Sequence, residues 1–385
     1  MTKNINIFFV GGYGNSLLTE LNNTGELGEL TDISNVFWLE SSPSEINYPK
    51  VCQLYASAGG NQSEYELGQK LYREQMQEQM QVHLSKITDN QINFIVAGLA
   101  GGTGGGFTLG LVEQIQSFNK KVTVIAGSPL PTLGGEQENT AYHTCLHEVV
   151  GKTEVLPLNG NAYAEMHKGK ATNEMAQFIL NSMYGLLNTL KDGLIDCSDI
   201  NSRITTGYAY FFAQSVSQDI SHALYRWKEP LELTHIAKSK ECVRECIFFT
   251  ACQDDYPTGA IIAENQYLVH SQGRNKIQSV KVQGRGCLFG WFFGIGNVRP
   301  LEKITIDKGV RGFVRARVKE ITGDTEGMTQ AQILEANQDK VREMQAKGMT
   351  QSQIVQSLNE DYKIEVSLAS FKKYQSLLKV TEGES

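Results

Sequence analysis

At 385 residues, 41% of them hydrophobic and 20% charged, the chain can bury a sizeable core and is long enough for two domains or more. A formal net charge of -7 argues against a general polyanion binder, and no run approaches the roughly 18 apolar residues of a membrane span, so no membrane partner is expected. Seven cysteines, an odd number scattered through a long chain, point to reduced thiols, and the start MTKNINIFFVGGYG lacks signal-peptide character, so a cytoplasmic protein is expected.

The run INIFFV reads as a strand, ending in GGYGN and followed by a helix through SLLTELNN. A second strand, NVFWLE, leads into the loop SSPSEI. The small-residue loop ASAGGN then precedes a long helix from about Ser63 to Lys86. Next come the strand NFIVAGL, a glycine turn, the helix FTLGLVEQIQSF, the strand KVTVIAG and the loop SPLPTLGGEQEN. Strands alternating with helices at this rhythm predict an α/β fold, a Rossmann-like domain whose mostly parallel sheet is covered on both faces.

In the segment after the loop, His143, Cys145, His147 and Glu148 do not form a usual ligand set and read as surface or packing residues; Cys242, Cys246 and Cys252 lack metal-site spacing. From Thr172 to Leu190 an apolar helical pattern predicts a buried central helix. Beyond Asp199 a helical stretch near 207–227 and the β-like runs ECIFFTACQ, QYLVHSQ, SVKVQG and GCLFGWFFGIG suggest a second, smaller α/β domain. The boundaries expected are 1–171, a central helix at 172–192, 193–305 and a helical C-terminal tail at 306–385. Within the tail, the basic segment with Arg311, Arg315, Arg317 and Lys319 fits a strand or a helix. The repeated GMTQ[AS]QI marks two helix starts, with Thr329 and Gln332, and Thr350 and Gln353, forming capping boxes.

A strand that runs through glycines into a helix brings bare backbone N–H groups and the positive end of a helix dipole to one point, an anion site. Three loops have this character: Gly11 to Asn15, Ala58 to Asn61 and Ala100 to Gly106. At the carboxyl ends of a doubly wound sheet they could converge on one polyphosphate. No Lys follows the last glycine as in a Walker loop, and there is no dinucleotide fingerprint with its ribose acid, which argues against a nicotinamide-dependent oxidoreductase.

AGLAGGTGGG resembles, at residues 100 to 106, the tubulin/FtsZ signature GGGTG[ST]G, with Ala100 at its first position and Gly105 at its sixth. VGGYGN is similar to that family's first nucleotide loop and AGGN to its third, in the family's order and spacing. The resemblance implies GTP or GDP with Mg²⁺, held by Gly11, Gly12, Tyr13, Gly14, Asn15, Ala58, Gly59, Gly60, Asn61, Ala100, Gly101, Gly102, Thr103, Gly104, Gly105 and Gly106. It sets Asn173 where the family reads the guanine edge, and an amide supplies the donor and acceptor that edge needs. The ribose loop lacks the F-E-G-x-x-R of FtsZ, leaving Glu136 and Glu138 as candidates there.

The family also hydrolyses GTP with acids that the next subunit inserts from the loop after the central helix. GLIDCSDI supplies Asp196 and Asp199 for that motif, with Leu194 at the position of its Asn. The alternative is that both aspartates only end one helix and cap another. These departures make the chain similar to the phage and plasmid tubulin-like proteins, the TubZ and PhuZ group.

The implied protein is an assembly-dependent GTPase whose partner is itself in a head-to-tail filament, positioning or segregating phage or plasmid DNA. The alternative is a non-hydrolysing scaffold or DNA-binding adaptor, using a helix-turn-helix-like module at 349–379 in which Ser367 caps a helix bearing Lys372, Lys373 and Tyr374. Segment 325–385 carries nine acidic and seven basic residues, so its attraction to DNA is weak unless many copies act together. Packing on its own or a neighbouring subunit, or binding an adaptor, is the other role open to the tail.

Overall fold

The computed structural model describes residues 3–57, 64–129, 136–167, 169–191, 195–216, 245–252, 276–281 and 286–295 of a first compact unit, Met1–Leu301. In a second unit, Glu302–Ser385, it describes residues 341, 344, 349–350, 353–355 and 358.

The first unit is built on a ten-stranded sheet. Its strands are β1 (Ile5–Val10), β2 (Asn35–Glu40), β3 (Val51–Tyr55), β4 (Ile92–Gly98), β5 (Thr123–Gly127), β6 (Glu154–Leu158), β7 (Gly207–Val216), β8 (Glu245–Cys252), β9 (Lys276–Lys281) and β10 (Gly286–Ile295). Their order across the sheet is β3-β2-β1-β4-β5-β6-β7-β10-β8-β9. All pairings from β3 to β7 are parallel, β10 runs antiparallel to β7 and β8, and β8 pairs with β9 in parallel.

Every residue of β1, β5 and β6 is buried, because helices cover both faces of the sheet; β1 and β5 are mostly apolar for that reason. Alternate residues feed two cores. Ile5, Ile7 and Phe9 join Leu17 and Leu21 of α1 (Gly11–Asn23), Leu30 of α2 (Leu27–Ile33) and Ile179 and Met183 of α8 (Ala171–Lys191). Phe8 and Val10 join Leu71 of α3 (Tyr65–Leu71), Met80 of α4 (Gln77–Leu84), Leu111 of α5 (Gly102–Ser117) and Val149 of α6 (Glu136–Lys152). One layer of the second core is polar: Asn35 donates to Asn6 (2.8 Å), Asn6 to Asn93 (2.9 Å) and Asn93 to the Lys121 carbonyl (2.8 Å), crossing β2, β1 and β4 at paired positions.

The long helix expected from Ser63 to Lys86 is divided: α3 and α4 are separated by a π-turn at Tyr72–Met76. Buried Tyr72 lies against Gly110 of α5 and donates to Gln114 Oε1 (2.5 Å), so the bulge falls where the chain adapts to its neighbour.

The helix expected near 207–227 is corrected at its first half. Residues Gly207–Val216 are strand β7, paired through Tyr208 with Val155 of β6 and along its length with β10. Tyr208, Tyr210, Phe211 and Phe212 favour a pleated surface, and a place between two strands overrides the helical spacing. Pairing of β7 with β6 ends at Val155, two residues before Pro157, which has no N–H to give. Residues 217–227, the run QYLVHSQ and the basic segment lie outside the described residues. ECIFFTACQ and GCLFGWFFGIG form β8 and β10, so the expected second α/β region continues the first through one sheet.

The predicted central helix is α8, with Met175, Ile179, Leu180 and Met183 in the core. In the second unit, Ile354 and Leu358 are buried, as are Val341, Met344 and Val355. Thr350 and Gln353 make the reciprocal capping box: Gln353 Oε1 accepts from the Thr350 amide (2.8 Å) and Thr350 Oγ1 from the Gln353 amide (3.4 Å). Thr329, Gln332 and most of 349–379 lie outside the described residues.

Candidate functional site

The chain reverses direction across the sheet at β1: β2 lies on one side of it and β4 on the other. A crevice forms at the carboxyl ends of strands at such a switch point. Two helices begin there, α1 directly after β1 and α5 three residues after β4. Among the described residues no side chain caps either N-terminus, and neither first turn holds an acid. Each helix therefore turns first-turn N–H groups and the positive end of its dipole toward one place.

The two glycine loops touch. Gly11 has φ +66°, and a Cβ there would lie 3.1 Å from the Gly104 amide nitrogen. A Cβ on Gly104 would collide with the Gly98 carbonyl oxygen, so this glycine is needed for close backbone packing. Gly12 and Gly101 differ: nothing lies within 4 Å of a Cβ on either. Packing does not explain them, whereas a ligand drawn against bare backbone would, so the residues present fit a phosphate-bearing group.

The remaining expected residues divide into those brought to this crevice and those kept from it. Tyr13 lies across the paired Gly98 and Gly127 at the ends of β4 and β5, and its hydroxyl reaches Met175 Sδ (3.2 Å) in the first turns of α8, two residues from Asn173. Burial raises the Tyr13 hydroxyl above its ordinary pKa. Asn15 Oδ1 accepts from the Tyr48 hydroxyl (2.7 Å), which also bonds Thr19 Oγ1 (2.8 Å). Thr103 donates to Ser41 Oγ (2.8 Å), and Ser41 donates through its amide to Glu40 Oε1 (2.9 Å), so one carboxyl is linked to the first turn of α5. Desolvation raises the Glu40 carboxyl above the ordinary carboxylate range.

Gly102, Gly105 and Gly106 continue the turn into α5, where a Cβ on Gly105 would lie 2.9 Å from Cys145 Sγ. Cys145 is thus a core residue of α6, and Glu148 accepts from the Tyr65 hydroxyl (2.8 Å). Gly14 is buried within α1. Ala100 precedes α5, Glu136 and Glu138 open α6, and Ala58, Gly59, Gly60 and Asn61 lie outside the described residues.

Asp196 and Asp199 are elsewhere. Asp196 is the N-cap of α9 (Cys197–Asn201), accepting from the Asp199 amide (2.7 Å). The side chain of Asn201 donates to the carbonyls of Gln91 (3.0 Å) and Asp89 (3.3 Å), just before β4 begins. The aspartates therefore sit at the amino pole of the sheet and the glycine loops at its carboxyl pole, separated by the seven residues of β4, about 23 Å. Asp199 Oδ2 is paired with Lys276 of β9 (2.6 Å), and Arg203 Nη1 lies 3.8 Å from Oδ1 while donating to the Asp199 carbonyl. The hydrogen bond from Lys276, chiefly, holds the Asp199 carboxyl below its ordinary pKa.

Sequence reading passed over Tyr48, Ser41, Met175 and Lys276, which act on the expected residues. The paired glycines ending β4 and β5 were the one readable sign of the Tyr13 ring.

An open α/β sheet with uncapped helix ends at its switch point is an anion-binding architecture. The fold is that of the tubulin/FtsZ proteins. CetZ from Methanosaeta thermophila strain DSM 6194 superposes with a TM-score of 0.64 at 12% identity, over 94% of this chain and 100% of that one. The empty FtsZ dimer of M. jannaschii gives 0.59 at 15% identity over 77% and 89%, and TubZ of Clostridium botulinum phage c-st gives 0.56 at 15% over 83% and 100%. No protein-family model matches the chain, and no curated protein does. Among the described residues no helix is long and apolar enough to cross a membrane.

Proposed function

We propose that this chain is a GTP-binding protein that assembles head to tail into filaments and hydrolyses GTP between subunits. The observation that carries the reading is the separation of the half-sites: a glycine crevice suited to phosphates at one pole of the sheet, two aspartates at the other. Within one chain they cannot meet, but stacked subunits would join them, and a heterologous contact that does not close makes a filament. A GTPγS-bound protofilament of CetZ2 from Haloferax volcanii with the same fold supports it.

In this reading the first-turn amides of α1 and α5 hold the phosphates, Asn15 and Asn173 meet the base edge, and Tyr13 walls the nucleoside. Glu40, linked through Ser41 to Thr103, is the carboxyl available to a Mg²⁺ ion, whose chemistry is to neutralise phosphate charge. Asp196 and Asp199 orient water in the neighbour's site. Likeness to a phage TubZ favours phage or plasmid DNA as cargo, with the second unit meeting DNA or an adaptor.

Pelleting and light scattering with GTP test the reading. The wild type is expected to assemble and release phosphate, and Asp196→Ala to assemble with turnover lost. Absence of GTP-dependent assembly sinks the filament; unchanged turnover in the variant sinks the aspartate role. One observation favours a non-hydrolysing scaffold instead: Asp196 caps α9 and Asp199 is ion-paired, both structural uses. Nucleotide that co-purifies without phosphate release would select it.

A further inference from the structure

The two glycine loops that meet at the crevice contain no Lys or Arg. Phosphoryl transfer needs its developing charge neutralised, and backbone amides supply only part of that. The missing cation lies at the opposite pole.

Asp199 is flanked by two cations of different character. The Arg203 side chain is 5% exposed, donates to the Asp199 carbonyl and approaches its carboxylate from inside, so it anchors the loop. The Lys276 side chain is 37% exposed and reaches the other carboxylate oxygen at 2.6 Å. With the anchor already provided by Arg203, an ion pair between two such exposed groups adds little to stability. The ammonium of Lys276 rides on a flexible stem and can exchange a carboxylate for more highly charged phosphate oxygens.

We propose that Lys276 is a catalytic residue supplied in trans: borne on the same surface as Asp196 and Asp199, its ammonium contacts the phosphates held by the next subunit's glycine loops. The inference rests on the filament reading above. In the step it serves, a water oxygen bonds to the γ-phosphorus and the bond to the β-phosphate oxygen breaks. The bonding pair leaves with GDP, and the water proton passes to an aspartate carboxylate and on to solvent. Lys276 offsets the charge gathering on the phosphate oxygens, while the aspartate beside it receives the proton.

The test uses the full chain. Lys276→Gln is expected to lower kcat per assembled subunit roughly 100-fold, the usual effect of removing one charge-stabilising donor. GTP affinity of the unassembled subunit stays unchanged, and Lys276→Arg retains much of the rate. Gly12→Asp, which puts an acid in the first turn of α1 where nothing crowds a side chain, is expected to be inactive through its own loops. Mixing it with Lys276→Gln pairs one variant's intact loops with the other's intact lysine, and turnover returns. In amine labelling read by mass spectrometry, Lys276 of the wild type is protected in GTP filaments and reactive in free subunits.

A Lys276→Gln protein that hydrolyses as fast as the wild type or faster, a mixture that stays inactive, or a lysine equally labelled in both states overturns the proposal. A wild type that does not assemble with GTP overturns it together with the filament reading. One that assembles and hydrolyses while Lys276→Gln does the same overturns the lysine role alone.

Discussion

Glu154 opens β6 with its side chain sealed in the core: it is 1% exposed and accepts a hydrogen bond from Thr123 Oγ1 (2.9 Å). Burial pushes its carboxyl up from 4.5 to about 8, against the opposing effect of Thr123 and Trp291, which favour the ionised form. The raised value means that the folded chain keeps a proton that the unfolded chain releases. The group's contribution is therefore fully favourable below pH 4.5 and is lost progressively as pH rises toward 8. At about 1.4 kcal/mol per pH unit, the loss by pH 7 is on the order of 3 kcal/mol. Glu154→Gln preserves shape and the acceptor for Thr123 but cannot ionise. We expect the variant to match the wild type near pH 4.5 and to exceed it by roughly 4 kcal/mol at pH 8. Urea unfolding followed by tryptophan fluorescence from pH 4.5 to 9 measures the difference, which cancels other titrating groups common to both proteins. If the two curves stay parallel across that range, or the variant is the weaker at pH 8, the carboxyl is not held protonated in the fold.

Glycines of the crevice should separate into two kinds. Gly104→Ala is expected to lower stability by about 3 kcal/mol or to prevent folding, because its methyl group meets the Gly98 carbonyl; Gly101→Ala, in open space, should melt like the wild type yet bind GTP at least ten-fold more weakly by fluorescence titration. Tyr48→Phe removes the hydroxyl that holds Asn15 and Thr19 and should cost about 1 kcal/mol in thermal unfolding, with weaker discrimination of GTP from ATP. Thr350→Ala should weaken the helix it caps by about 1 kcal/mol, seen as earlier loss of helical signal on heating.

What was legible in the sequence follows from how local the cause was. The strands β1, β4 and β5 and the glycine turn before α5 announce themselves because two-faced burial leaves mostly apolar residues and a strand-to-helix turn leaves glycines. The capping box at Thr350 spans four residues and was equally plain. Segment Gly207–Val216 was misread because its aromatic spacing suits a helix face as well as a strand, and only neighbours far along the chain decide between them. Short β6, interrupted by Pro157, carried too little pattern to be noticed. Lys276 joins Asp199 across 77 positions and Tyr48 joins Asn15 across 33, so neither partnership leaves a mark that spacing could reveal.

The asparagines that cross β2, β1 and β4 have an effect beyond the three bonds they make. Parallel strands of nearly uniform apolar residues could slide past one another with little loss of burial. Sliding β1 by one residue would face Asn35 and Asn93 with Ile5 or Ile7 and strand several amide groups in a dry interior, at about 1–3 kcal/mol each. The row therefore works as a key for strand register: only one alignment of β2, β1 and β4 satisfies every amide, and that alignment is the one that brings the glycine loops at the far ends of β1 and β4 together.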